Sequence, residues 1–519
     1  MLEPEKTLLR FCILIRLLQL LLQIVLSLFP DHNADAFDPP ISISSNLLDS
    51  SLYSVLRGYR RWDSIYFCFI SRWGYLYEKC LAFFPLFPAT LGLISRFVYP
   101  LTGHLVSLDT LILLVGICVN QFCGVLSTIQ LYRLGLQVLG SPGISYFAAL
   151  LFCINPALIF FSSVYSESLF FLLTLTALRC YEHGRLLLAT VLFATTIGCR
   201  SNGLLNLGYI IYNLWSSPVL ASLLWNEKTI LSAKRSLFFM LYSCVRWWCT
   251  FFGMIVPYGL LCLMAVVPFL LYQLYAYYLY CPNTHLLPFL CTWMPNPTDM
   301  ITQYGFQLAY NMPMCIASNT SLINSKPAWC SSNLPFSYSY IQDTFWNVHF
   351  LGYFEWKQLP NFILAMPVVL LSLSCASSFY ARAPNAYRTL GLRTESAKDR
   401  QLVPYIFHVL LLTVYGITHI NVQVLTRIIF SSCPVIYWYC GYLMCESPQR
   451  HTKQTADKSK MKGTFLVHSK NEFNYRLAQV AHLLNPAYYH TVTQRLILVY
   501  FLGYAIVGSV LHSKFLPWT

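Results

Sequence analysis

Charge is scarce in this chain of 519 residues: Asp, Glu, Lys and Arg together make up 10%, where a soluble globular protein carries about 25%. Hydrophobic residues make up 56% and aromatics 16%, and the mean hydropathy is +0.54. That balance excludes a soluble enzyme, a disordered chain and a secreted disulfide miniprotein. Familiar motifs are missing as well. There is no Gly-x-Gly-x-x-Gly and no phosphate loop, so a nucleotide-binding fold has no support. There is no Asp-x-Asp to hold a metal with a nucleotide-sugar diphosphate. Cys118 and Cys123, Cys244 and Cys249, and Cys440 and Cys445 lack the spacing and His partners of a tetrahedral zinc site. The 19 cysteines lie mostly inside apolar runs, where Cys is a small buried hydrophobe. No internal repeat is visible. An enzyme of this composition would draw its activated donor from the membrane itself.

What the chain does have is long apolar runs. A spanning helix needs about 20 mostly apolar residues. Eleven segments are candidates: 11–29, 108–131, 143–161, 164–181, 186–200, 203–215, 251–279, 360–380, 403–421, 426–446 and 495–512, of which 186–200 and 203–215 are short and read as half-helices or as marks of a thin local bilayer. The expected fold is an all-α polytopic membrane protein forming one integral-membrane domain over 1–519. The first run reads as a signal anchor rather than a cleaved leader, because Arg16 interrupts it and Phe29-Pro30-Asp31 is a poor cleavage site. The stretch 81–101 is broken by Pro85, Pro88 and Pro100. It reads as re-entrant or interfacial, since irregular backbone cannot face lipid.

Basic residues set the orientation. The segments 216–250, 381–402 and 447–494 are rich in Lys and Arg and are expected in the cytosol, together with the N-terminus. The loop 281–359 has only Lys326 and Lys357 and carries the sequon Asn319-Thr320-Ser321. It is expected on the lumenal side, as is a first lumenal loop over 30–107, and to be glycosylated at Asn319. The formal net charge of +14 is thereby a topology signal rather than a nucleic-acid surface. In the oxidising lumen Cys281, Cys291, Cys315 and Cys330 are disulfide candidates with three connectivities open, and Cys68 with Cys80 is a further pair.

Polar residues at membrane depth are costly and mark function by default. Here they gather at the expected lumenal ends of separate segments: Arg61-Trp62-Asp63, Tyr165-Ser166-Glu167, Arg200-Ser201-Asn202, His419 through Arg427, and His512 with Lys514. Each has an ordinary explanation alone. Glu167 suits a helix N-terminus, Arg427 a snorkelling position, and Asp63 a salt bridge with a neighbouring Arg. Together they suit glycosyl transfer from a lipid phosphate. A carboxylate would take the acceptor proton, and cations would neutralise the departing phosphate. A monophosphate leaving group needs no divalent metal.

Several motifs carry a resemblance. They are Pro30-Asp31-His32-Asn33-Ala34-Asp35-Ala36-Phe37, Trp62-Asp63, Trp73-Gly74-Tyr75-Leu76-Tyr77-Glu78, Tyr165-Ser166-Glu167-Ser168, Arg200-Ser201-Asn202-Gly203, Trp346-Asn347-Val348, Val422 through Arg427 and the terminal Phe515-Leu516-Pro517-Trp518-Thr519. Spread in order over the chain, they resemble the class V phosphatidylinositol-glycan (PIG-V) mannosyltransferases. The resemblance implies a GT-C type enzyme of the endoplasmic reticulum membrane with about 11 helices and long lumenal loops. It implies transfer of the second, α1,6-linked mannose from dolichyl phosphate mannose to a mannosylated GPI precursor lipid, inverting and without a cofactor. Asp63 is then the catalytic base. Trp62, Glu167, Arg200, Asn202, His419 and Arg427 are candidates for binding substrate, and no residue is assigned to metal. An accessory membrane subunit is left open, and nucleic acid is not a partner. One departure is that Arg72 and Trp73 stand where a more polar, acidic pair is expected. Two other classes compete: a lipid or solute transporter, which usually shows two related halves, and a non-catalytic assembly subunit.

Overall fold

The computed structural model describes residues 3–33, 36–41, 43–44, 46–217, 237–281, 327–394, 396–445, 484–489 and 491–517. Asn319, Cys291, Cys315 and nearly all of the 447–494 loop lie outside the described residues. Within them the regular elements are helices, with no strand.

In chain order the helices of eight residues or more are α1 Glu3–Ser27, α2 Leu47–Leu56, α3 Asp63–Trp73, α4 Leu86–Val98, α5 Leu108–Leu139, α6 Pro142–Cys153, α7 Glu167–Glu182, α8 Leu186–Cys199 and α9 Leu207–Trp215. They continue with α10 Leu237–Tyr280, α11 Ser337–Trp346, α12 Leu359–Arg382, α13 Ala397–Thr418, α14 Leu425–Ser432, α15 Pro434–Cys445 and α16 Val492–Ser513. Among the described residues, six helical segments are long and apolar enough to cross a membrane: α1, α5, Trp248–Tyr280 within α10, Trp356–Arg382 including α12, α13 and α16. The bent pair Val422–Ser432 and Pro434–Cys445, broken by 81°, makes up to seven. The chain is thus a multi-pass, all-helical membrane protein, but eleven full-length spans are not confirmed. The difference is one of continuity. The run 143–161 becomes a 12-residue helix followed by successive turns, and the runs 186–200 and 203–215 become helices of 14 and 9 residues. The proline-broken stretch 81–101 holds α4, 13 residues long, which begins just after Pro85.

Irregular backbone at membrane depth survives only where protein covers it. Residues 154–166 meet that condition: all are buried. Arg16 on α1 is one of the segment's supports, beside Asn120 of α5, which donates to the Ser163 and Tyr165 carbonyls. The Arg16 guanidinium donates to the Phe161 carbonyl and to Ser162 Oγ, each at 2.8 Å. It passes across Gly124 of α5, where a Cβ would overlap it. The charge that interrupts the first apolar run is therefore a strut to the broken segment. Leu14, Leu17, Leu18 and Leu21 face outward from the same helix.

Most buried side chains form one core, in which α6 packs against α15. Gly441 permits the close approach, since a Cβ there would lie 2.6 Å from the Ile144 carbonyl. A second, aromatic core joins the end of α3 and the following turn to α10 and α11 through Trp73, Tyr75, Phe84, Tyr272, Tyr280 and Trp329. A disulfide between Cys281 and Cys330 closes 49 residues of sequence beside it. That bond selects one pairing for the loop. The expected Cys68–Cys80 pair does not form: both are free and buried, one in each core.

Candidate active site

Asp63 is the first residue of α3. Trp62 precedes it in an unusual backbone conformation, φ 53° and ψ −124°, without a side-chain cap for the helix. A non-glycine residue at positive φ is uncommon and marks a constraint imposed by its surroundings. Asp63 therefore leaves the turn in a direction fixed by Trp62.

The Asp63 carboxylate meets Arg427 of α14, with Nη2 to Oδ2 at 2.7 Å. Arg427 Nε also lies 3.7 Å from Oε1 of Glu167, the first residue of α7. Arg200, the residue that ends α8, pairs with the same Glu167 oxygen. Four segments far apart in sequence thus build a chain of charges, Asp63–Arg427–Glu167–Arg200. Glu167 is only 1% exposed, whereas Asp63 keeps 25% of its side chain open. A buried carboxylate needs compensation, and Glu167 receives it from two guanidiniums and from the N-terminus of its own helix. Asp63 is the open end of the chain.

The flanks are aromatic and polar. Arg427 lies over the rings of Phe160 and Tyr165, at 5.3 and 5.5 Å. Asn202 accepts from Arg200 Nε at 3.3 Å and donates to Ser432 Oγ at 2.9 Å. Ser201 Oγ bonds Tyr338 Oη at 2.6 Å, bringing α11 to the same place. Tyr66, one turn beyond Asp63, is stacked between Phe37 at 4.6 Å and Phe83 at 4.7 Å, with Trp346 at its edge. Burial, then Cys80, then the Asp63 charge push the Tyr66 hydroxyl above its ordinary range, so it remains protonated. Among the described residues, no three His, Cys, Asp or Glu side chains gather as a metal set.

Of the sequence candidates, Asp63, Glu167, Arg200, Asn202 and Arg427 come together. Trp62 adjoins them, but its ring packs on Phe515 at 5.2 Å, and its indole Nε1 is buried without a hydrogen-bond acceptor. His419 is not brought in. Its ring stacks on Tyr415 at 4.7 Å, lies 5.1 Å from Phe350, and bonds Thr418 Oγ1 at 2.8 Å. Sequence reasoning assigned no role to Asp31, whose carboxylate holds Arg61 at 2.5 Å and reaches Arg57 and Lys514 at 3.5 Å. The available signal was its place in the Pro30-Asp31-His32 motif. Nor did it single out Tyr165, which donates to the Arg61 carbonyl at 3.2 Å. Burial lowers the Arg61 guanidinium from its usual value, and Asp31 opposes that effect.

The sequence matches the family model described as "Mannosyltransferase (PIG-V)" over residues 5–519. It is 35% identical over 528 residues to "GPI alpha-1,6-mannosyltransferase 2" of Homo sapiens, covering 99% of each chain. It is 34% identical over 536 residues to the protein of the same name in Cricetulus griseus, covering 100% of this chain and 99% of that one. "GPI mannosyltransferase 2" of Schizosaccharomyces pombe is 24% identical, over 79% of this chain and 70% of the relative. Among solved structures, the apo oligosaccharyltransferase of Archaeoglobus fulgidus aligns with TM-score 0.40 and 12% identity, over 98% of this chain and 56% of that one.

Proposed function

This chain belongs to the mannosyltransferase (PIG-V) family, and we propose that it adds the second mannose, α1,6-linked, to the GPI precursor on the lumenal face of the endoplasmic reticulum. The donor is dolichyl phosphate mannose. The observation that carries the reading is the Asp63–Arg427–Glu167–Arg200 chain, which puts an open carboxylate against one guanidinium and links it through Glu167 to a second, within a membrane protein. GT-C architecture is part of the same proposal.

In this mechanism the 6-hydroxyl of the first mannose attacks the anomeric carbon of the donor. Asp63 takes the hydroxyl proton. The bond from the anomeric carbon to the phosphate oxygen breaks, and dolichyl phosphate departs with that electron pair. Attack opposite the leaving group inverts the centre, so one carboxylate suffices and no covalent intermediate forms. Arg427 and Arg200 meet the growing phosphate charge. The pairing of Asp63 with Arg427 supplies a trigger. When the donor phosphate draws Arg427 toward itself, the Asp63 carboxylate loses its tightest partner and is free to receive the acceptor proton. Asn202 and Glu167 hold Arg200 in place throughout.

The test is a microsomal assay with labelled dolichyl phosphate mannose and a singly mannosylated GPI acceptor. Label should appear in a dimannosylated product in membranes containing this chain and not in membranes lacking it. Absence of transfer with abundant protein would defeat the proposal.

A further inference from the structure

We infer that the segment following α16 is a positioning element for the site, with Phe515 acting through Trp62 on the placement of Asp63. This deepens the mechanism proposed above and rests on the catalytic reading of Asp63.

The chain leaves α16 at Ser513 and turns sharply. Phe515 has φ 61°, a left-handed conformation that a bulky side chain rarely adopts. The turn puts its ring between two consecutive residues of the first loop. The Arg61 guanidinium carbon lies 4.9 Å from the ring centroid, and the Trp62 ring lies 5.2 Å away. Both sides of this contact are therefore at positive φ: Trp62 at 53° and Phe515 at 61°. Each is an unfavourable backbone state that persists only when surroundings over-determine it.

The surroundings do so with a ring of bonds. Arg61 Nε donates to the Ser513 carbonyl at 3.3 Å, and His32 N donates to the Lys514 carbonyl at 3.0 Å. Lys514 Nζ donates to the Phe29 carbonyl at 2.7 Å and to the Leu26 carbonyl, and lies 3.5 Å from Asp31. Ser513 bonds Gln23, and His512 lies 3.4 Å from Tyr165 Oη. Trp62 itself takes no part in these bonds, and its indole nitrogen has no acceptor. Its ring is packed against Phe515 instead. A shift of Trp62 would pass directly to Asp63, because the two share a peptide bond at the start of α3.

The experiment compares Phe515→Ala, Phe515→Tyr, Asp63→Asn and the double variant Phe515→Ala/Asp63→Asn in full-length protein, with rates normalised to folded protein. A displaced catalytic group costs up to about 100-fold. Phe515→Ala should lower kcat by about 10- to 100-fold and leave KM for donor and acceptor within about twofold. Phe515→Tyr keeps the ring and should restore the rate. Because Phe515 acts through Asp63, the double variant should be no slower than Asp63→Asn alone. Multiplying losses, or a normal rate for Phe515→Ala, would overturn the inference. If Asp63→Asn itself transfers normally, the base assignment falls. The inference then falls with it, whereas a normal rate for Phe515→Ala beside an impaired Asp63→Asn overturns the inference alone.

Discussion

Two charge clusters flank Trp62, and they follow opposite rules. The cluster of Asp63, Arg427, Glu167 and Arg200 is balanced, two carboxylates against two guanidiniums. The cluster around Asp31 has one carboxylate against Arg57, Arg61 and Lys514. Burial explains the first, because a fully enclosed Glu167 must be compensated. Helix ends explain the second. Lys514 donates to the Leu26 and Phe29 carbonyls at the end of α1, and Arg61 donates to the Ser513 carbonyl at the end of α16. Helix C-termini carry partial negative charge, so the surplus cations have partners that a count of carboxylates misses. One cluster is suited to exchange partners with a substrate. The other ties chain segments together.

Substitutions can break that contrast. The largest effect should come from Asp63→Asn, which keeps the size and removes the base. Transfer should fall by about 10²–10⁴-fold in the microsomal assay, with unchanged abundance. A normal rate would move the base elsewhere, with Glu167 first. Glu167→Gln breaks the enclosed part of the balanced cluster and leaves two arginines without their shared carboxylate. It should cost about 3 kcal/mol, read as a lower melting temperature in detergent as well as lost transfer. If Glu167→Gln is as stable as the parent, the balance is not structural.

Cys281→Ser gives a calibration outside both clusters. Opening that disulfide should cost about 2–4 kcal/mol, read by thermal melting, while the per-molecule rate of the folded fraction stays near that of the parent. A lost rate at normal stability would place the aromatic core within the catalytic machinery instead. Asp31→Asn should destabilise by no more than about 1 kcal/mol, as partly exposed pairs do. A loss as large as that of Glu167→Gln would erase the distinction between the clusters. The smallest effect belongs to His419→Ala, which touches neither cluster and should leave transfer within about twofold. A tenfold loss would return His419 to the site.

Much of the site was legible because it consists of charges in an apolar chain. Asp63, Glu167, Arg200 and Arg427 stand out where each charge is costly, and the structure brings all four together. His419 belongs to the same polar stretch as Arg427 but faces Tyr415 and Phe350. Proximity in sequence could not separate them, since only one of the two lies on α14. The spans were legible as hydropathy, yet their continuity was not. An apolar run such as 143–161 has the same composition whether it continues as one helix or breaks into turns covered by protein.

By itself, the sequence determined that the chain is a helical membrane protein, because its apolar runs have the length of spanning helices, which satisfy their own backbone in lipid, rather than of the shorter strands of a barrel. It also singled out the charged residues Asp63, Glu167, Arg200 and Arg427 that the structure gathers. Tertiary structure alone decided the pairings: that Arg16 holds up the broken segment 154–166, that Cys281 takes Cys330, and that Phe515 comes to rest on Trp62. These are contacts between positions up to several hundred residues apart. Hydropathy and local propensity constrain neighbours along the chain, whereas such partners are chosen by how the helices pack.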